Sequence, residues 1–164
     1  MRIGEHGIAL IKRWESFRAS PYLCPAGWWT VGYGAIHGPD GLPVTKQTLA
    51  VTEAQAELML ERDTGLAAAA VNRLCPVPLT APNFDALCSF AFNLGAGALQ
   101  RSTLRQCVLR GDHAAAAAEF PKWCKARNPK TGVYRPLPGL VARRAQEAAL
   151  YVGGVFGESW PEAA

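Results

Sequence analysis

The sequence lacks any CxxC pair. Its five cysteines (Cys24, Cys75, Cys88, Cys107, Cys124) stand far apart, which argues against a zinc site of the usual ligand spacing. Their odd number also leaves any disulfide framework incomplete. Cys88 lies in the apolar helical run FDALCSFAF and reads as a core thiol, with Cys107 and Cys124 in similar roles. A reducing compartment of synthesis fits. Runs of five or six like charges are missing as well. The 17 basic and 13 acidic residues leave a net charge of +4, and the basic residues are scattered. That dispersal does not make the one-sided footprint of a nucleic-acid binder, and suits at most a weak attraction to a polyanionic surface. Long apolar runs are absent too. The N-terminal MRIGEHGIALIKRWE is interrupted by Lys12 and Arg13, so neither a signal peptide nor a membrane span is expected there or later. A protein of this kind working outside the cytoplasm would need another agent to release it. No internal repeat is present, and the alanine run at 114–118 is a helix former rather than low complexity.

What is present is a chain of 164 residues, 49% of them hydrophobic and 18% charged. That is enough for one domain with a core, or for two small lobes. Ile8, Ile11, Trp14 and Phe17 recur at helical spacing, predicting an amphipathic helix over 4–17. From Pro21 to about Thr45, Pro and Gly alternate with short strand-like pieces such as WWTVGY and LPVT, the pattern of a small antiparallel sheet. Gly32 and Gly34, set beside aromatics, suggest a close approach of backbone to a ligand. Thr52 with Gln55 forms a capping-box signal at the head of a long helix to Leu74, where Cys75-Pro76-Val77-Pro78 stops it. Shorter helices follow at about 81–93, 102–110, 112–124 and 138–152. Gly95-Ala96-Gly97, Gly111 and the ARNPKTGVYRPLPG loop separate them.

The expected fold is α+β in a single domain over 1–164. A β-containing lobe at about 18–50 is joined by the helix at 52–74 to a helical lobe at about 80–152, with the N-terminal helix packed on the helical lobe. A cleft between two such lobes would suit an extended ligand.

Chemistry concentrates at the junction of the first helix and the hairpin. Glu15 follows Ile11 by four residues and Ile8 by seven, so it projects from the apolar side of its helix. It also occupies the last turn, at the negative end of the helix dipole. Desolvation and dipole both favour its protonated form, as a general acid requires. Cys24 stands nine positions on, in the loop entering the sheet, and Thr30 six further, on a strand. The three residues combine a proton donor, a group able to orient or activate water, and a hydroxyl to hold that water. This is the equipment of glycoside hydrolysis, although the second group is usually a carboxylate and a thiol is a weaker base. A cysteine peptidase or amidase using Cys24 with His37 or His113 is the alternative, but Cys24 sits in a Pro-flanked loop with no obvious orienting third group. A non-catalytic binding module would leave the ordered Glu-Cys-Thr spacing unexplained.

The spacing Glu, eight residues, Cys, five residues, Thr, followed by VGYG at 31–34, resembles the phage-type lysozymes, the muramidase endolysins of T-even and lambdoid phages. FNLG at 92–95, STL at 102–104 and GLVARRAQEAAL at 139–150 extend the resemblance over roughly residues 5 to 152. It implies a lysozyme-like fold, with Glu15 as general acid and Cys24 and Thr30 positioning the catalytic water. It further implies a sugar-binding position at Asn93, after the Phe of the FN motif, with Phe92, Gly34 and Ile36 beside it. Neither metal nor cofactor is implied. The substrate would be bacterial peptidoglycan, cut by a monomer without stable membrane insertion. Synthesis would be in the host cytoplasm and action in the periplasm or cell wall, after release through a holin. A lytic transglycosylase also uses one Glu on this polymer but needs no water-positioning pair, so Cys24 and Thr30 favour hydrolysis. The family commonly has His directly after the last glycine of GYG, where this chain has Ala35, with His37 two residues later. Of Arg143 and Arg144, one could face Glu15, or both could be surface charges. Trp28, Trp29 and Tyr33 divide between core packing and sugar stacking, and Trp123 is expected to anchor the helical lobe.

Overall fold

A helix that buries one stripe and a hairpin that buries one face each need a partner, and this chain supplies the partners twice. The computed structural model describes residues 1–24, 27–127 and 131–154. They divide into two compact units, one over Ile11–Leu66, the other joining Met1–Leu10 to the chain from Ala67 onward.

In the first unit, helix α1 (Glu5–Glu15) ends and strands β1 (Arg18–Leu23) and β2 (Trp29–Gly32) form an antiparallel pair. Tyr22 lies opposite Thr30 and Leu23 opposite Trp29, and the register is irregular between Arg18 and Tyr22. The hairpin's first strand therefore lies earlier than the sequence pattern indicated. LPVT is not a strand either. Pro43 has no N–H to donate to a ladder, and only an isolated bridge, His37 to Pro43, forms there. Helix α2 (Glu53–Leu74) starts at the expected capping box. The Gln55 N–H donates to Thr52 Oγ1 at 3.2 Å, and the Thr52 N–H donates to Gln55 Oε1 at 2.9 Å. Ile11, Val31, Val44, Val51, Ala56 and Leu60 form the buried apolar centre of this unit. Arg62, on α2, donates to the carbonyls of His37 and Gly38 and so ties the long loop to the helix.

The second unit is built on α3 (Ala81–Leu94) packed against α7 (Pro138–Tyr151). Thr80 and Asn83 make a reciprocal cap at the start of α3. The Asn83 amide also donates to the Tyr151 carbonyl at 2.7 Å, joining the start of α3 to the end of α7. Three features differ from expectation. Gly95, at φ +85°, ends α3 and starts a short helix α4 (Ala96–Arg101), so the Gly-Ala-Gly segment turns the chain and does not keep it irregular. Helix α5 (Thr103–Leu109) follows. The helix expected over 112–124 becomes α6 (His113–Glu119) and a 3₁₀ turn at Phe120–Trp123, because Pro121 cannot donate to an α-helical ladder. The loop after it carries a second antiparallel hairpin, β3 (Lys125–Arg127) with β4 (Tyr134–Pro136). Trp123 does anchor this unit: its ring meets Phe90 edge-on at 5.4 Å, and Phe120 meets Phe90 at 5.7 Å. Cys75, Cys88 and Cys107 are buried, Cys24 and Cys124 are partly exposed, and all five are free thiols.

The first turn of α1 is fastened to α3 by one buried carboxylate. The N–H groups of Gly4 and Gly7 donate to Asp85 at 2.7 and 3.1 Å. These are helix-start donors with no intrahelical partner. A Cβ at Gly7 would lie 2.7 Å from Ile3 Cγ1 and 2.9 Å from Asp85 Cβ, so only glycine permits the approach. Asp85→Ala orphans both donors and is expected to lower unfolding free energy by about 2 kcal/mol in urea denaturation; an unchanged midpoint would show that water replaces the carboxylate.

Candidate active site

The end of α1 is shaped to turn the chain sharply beside Glu15. Ser16 adopts φ +53°, a left-handed conformation uncommon outside glycine, and its N–H donates to the Lys12 carbonyl at 3.0 Å. The chain then enters β1, and the Phe17 ring lies 5.7 Å from the Tyr33 ring. Tyr33 is buried and donates to Glu53 Oε1 at 2.9 Å. The Lys12 ammonium, paired with Glu57, sits 5.3 Å over the same ring. Burial and the bond to Glu53 push the Tyr33 hydroxyl above its ordinary pKa, and the bond to Glu57 does the same for Lys12. The turn that follows Tyr33 is thereby pinned to α1 and α2.

Gly34 follows in that turn at φ +79°, and a Cβ there would lie 3.0 Å from Glu15 Oε2. The sequence suggested that this glycine lets backbone approach a ligand. The close approach in the structure is to the Glu15 carboxylate. Residues 31 and 35 close the turn with two mutual backbone hydrogen bonds of 3.0 Å, so the surface against which Glu15 rests is rigid.

Cys24 and Thr30 share the β1–β2 hairpin. The Cys24 N–H donates to the Trp28 carbonyl at 2.9 Å, and the Gly27 N–H donates to the Cys24 carbonyl at 2.9 Å. Because Tyr22 pairs with Thr30, and side chains alternate along strands, the next pair, Cys24 and Trp28, belongs to the same face. Thr30 is buried and its hydroxyl donates to the Tyr22 carbonyl at 3.3 Å. Trp28, in contrast, is 62% exposed. Of the three aromatics weighed for packing or stacking, Tyr33 is core, Trp29 is half-buried and Trp28 is free of the core. Ile36 is exposed, its carbonyl accepting from the Val44 N–H.

The remaining expected binding residues, Phe92 and Asn93, occupy the last turn of α3 in the helical unit, both half-buried. Asn93 Oδ1 accepts from Arg144 Nη2 at 3.0 Å. Neither Arg143 nor Arg144 is a surface charge. They are 4% and 0% exposed, because Glu147 lies three and four residues on along α7 and takes both guanidinium groups. Its Oε1 accepts from Arg144 Nη2 at 2.7 Å, from Arg143 Nε at 3.4 Å and from Ser89 Oγ at 2.7 Å. Burial pushes the Glu147 carboxyl up and the Arg144 guanidinium down, each opposed by the charge of the other. Glu147 and Ser89 escaped the sequence reading. The Arg-Arg-x-x-Glu spacing in ARRAQE was the available signal, since it places opposite charges on one helical face. Of the histidines considered as partners for a nucleophilic Cys24, His37 is exposed, and His113 Nδ1 meets the Tyr151 hydroxyl at 2.8 Å.

The chain is similar to known proteins over most of its length. The model of the phage lysozyme family matches residues 12–147. An endolysin of Acyrthosiphon pisum secondary endosymbiont phage 1 is 43% identical over 151 residues, covering 92% of this chain and 98% of its own. Among solved structures, the endolysin from Escherichia coli O157:H7 phage FAHEc1 superposes with a TM-score of 0.88 at 34% identity, covering 96% of this chain and 98% of that one. The muramidase domain of SpmX from Asticaccaulis excentricus superposes with a TM-score of 0.81 at 34% identity, covering 92% and 97%.

Proposed function

Because the chain belongs to the phage lysozyme family, with an α+β lysozyme-like fold, we propose that it hydrolyses the β-1,4 bond between N-acetylmuramic acid and N-acetylglucosamine, with Glu15 as the general acid. Membership makes it a lysozyme-type peptidoglycan hydrolase of host lysis; the bond cleaved and the residue roles are our reading. The observation that carries it is the Glu15 carboxylate resting against Gly34, one turn beyond the strand that bears Thr30.

In this reading Glu15 protonates the glycosidic oxygen as the anomeric carbon gains oxocarbenium character. Water attacks from the side served by Cys24 and Thr30. The Thr30 hydroxyl hydrogen is spent on the Tyr22 carbonyl, so its lone pairs are what it offers to a water proton. A thiol at Cys24 supplies a second polar contact, and the configuration inverts. Phe92, Asn93 and Ile36 are carried as sugar contacts on the resemblance alone. Among the described residues no helix is long and apolar enough to cross a membrane, and passage through a holin to the cell wall belongs to the same proposal, as does action as a monomer.

Digestion of purified sacculi should release soluble muropeptides; intact sacculi after prolonged treatment would refute the reading. Cys24→Asp should retain activity, since the family accepts a carboxylate there. Cys24→Ser or alkylation should slow the reaction by roughly 10²-fold, as loss of a water-activating group does. Unchanged initial rates after alkylation would reduce Cys24 to a packing residue.

A further inference from the structure

An arginine can only donate hydrogen bonds, and that restricts what its partner can show to a ligand. Arg144 Nη2 bonds Asn93 Oδ1 at 3.0 Å. The amide oxygen must face the guanidinium, because the alternative orientation would oppose donor to donor. Arg144 has no freedom to release it. The side chain is fully buried, bound to Glu147 at 2.7 Å, and its guanidinium carbon lies 5.4 Å from the centre of the Phe90 ring. Glu147 is in turn fixed by Ser89. Asn93 itself is half-buried, and among the described residues nothing in the chain accepts from its Nδ2. The oxygen is held toward Arg144, and the two N–H donors meet no acceptor among the described residues.

A buried ion pair is a poor way to gain stability, since well-packed apolar residues of similar volume often do as well or better. The charge here does one thing an apolar pair cannot: it fixes a single orientation of a half-exposed amide. We propose that the Ser89–Glu147–Arg144 chain is a positioning device that makes Asn93 a donor-only contact, reading a hydrogen-bond acceptor on the substrate, the carbonyl oxygen of an N-acetyl group on the glycan. The inference rests on the reading of Asn93 as a substrate contact and extends it to which atom does the reading and why. Arg144 and Glu147 act through Asn93 and touch no substrate themselves.

The test uses the full chain carrying Glu15→Gln, so that binding is read without cleavage, and purified soluble muropeptide fragments in acetylated and de-N-acetylated forms. The parent should prefer the acetylated fragment. Asn93→Asp keeps the size and the acceptor toward Arg144 but removes both donors. It should weaken binding of the acetylated fragment about tenfold and abolish the preference, with the melting temperature held or raised. The double variant Arg144→Met/Glu147→Leu removes both charges of this pair and with them the Glu147 bond of Arg143; once circular dichroism shows it folded, it should lose most of the preference although Asn93 is intact. Tight, acetyl-selective binding by Asn93→Asp would overturn the donor role. Unchanged selectivity in a folded double variant would overturn the positioning role. Cleavage by the Glu15→Gln parent would instead count against the catalytic assignment, a separate result.

Discussion

Glu15→Gln is expected to reduce peptidoglycan hydrolysis by about 10³-fold or more, within the range a positioned general acid contributes. The fold should be unchanged. The substitution keeps the size of a side chain that rests against Gly34, where an added Cβ would lie 3.0 Å from the Glu15 Oε2, and removes only the proton it can give. Clearing of outer-membrane-permeabilised Gram-negative cells reads the rate, and circular dichroism reads the fold. Substantial residual clearing by a folded variant would withdraw Glu15 from the acid role.

Gly34→Ala should cost nearly as much by a different route. Its backbone sits at φ +79°, where an alanine costs roughly 1–2 kcal/mol. The new methyl would also press on Glu15 Oε2. Tyr33 cannot yield, being buried and tied to Glu53, so the carboxylate has to move. A displacement on the order of 1 Å at a reacting group can cost about 10²-fold in rate. The loss should appear mainly in kcat, with a modest fall in melting temperature. A normal kcat would mean that the position of the Glu15 oxygen is not what Gly34 protects.

Elements with strong local signals were legible in the sequence. The helix at α1, the Thr52–Gln55 cap and the Trp123 anchor follow from periodicity, capping chemistry and aromatic burial. The β3–β4 hairpin was not legible. Its strands are three residues long and mostly exposed, so no alternation marks them among Asn, Pro and Gly. Arg143 and Arg144 were read as possible surface charges because charged residues are rarely buried alone. Glu147 on the same helical face changes that, and only packing against Ser89 and Phe90 reveals it. Gly34 was singled out for a close approach of backbone to a ligand, whereas the close approach in the structure is to the Glu15 carboxylate. Its neighbour is a side chain of the chain itself, brought near by the left-handed turn at Ser16, which no residue preference in the sequence announces.

The central claim, hydrolysis by a Glu acid with water held at Cys24 and Thr30, is met most directly by the chemistry of the ends produced. Mass spectrometry of digested peptidoglycan should find reducing N-acetylmuramic acid ends. Ends carrying a 1,6-anhydro ring would mean that no water is used and that the reaction is a transglycosylation. Free stem peptides with an uncut glycan would mean that Cys24 or another residue attacks an amide, and would contradict the account outright.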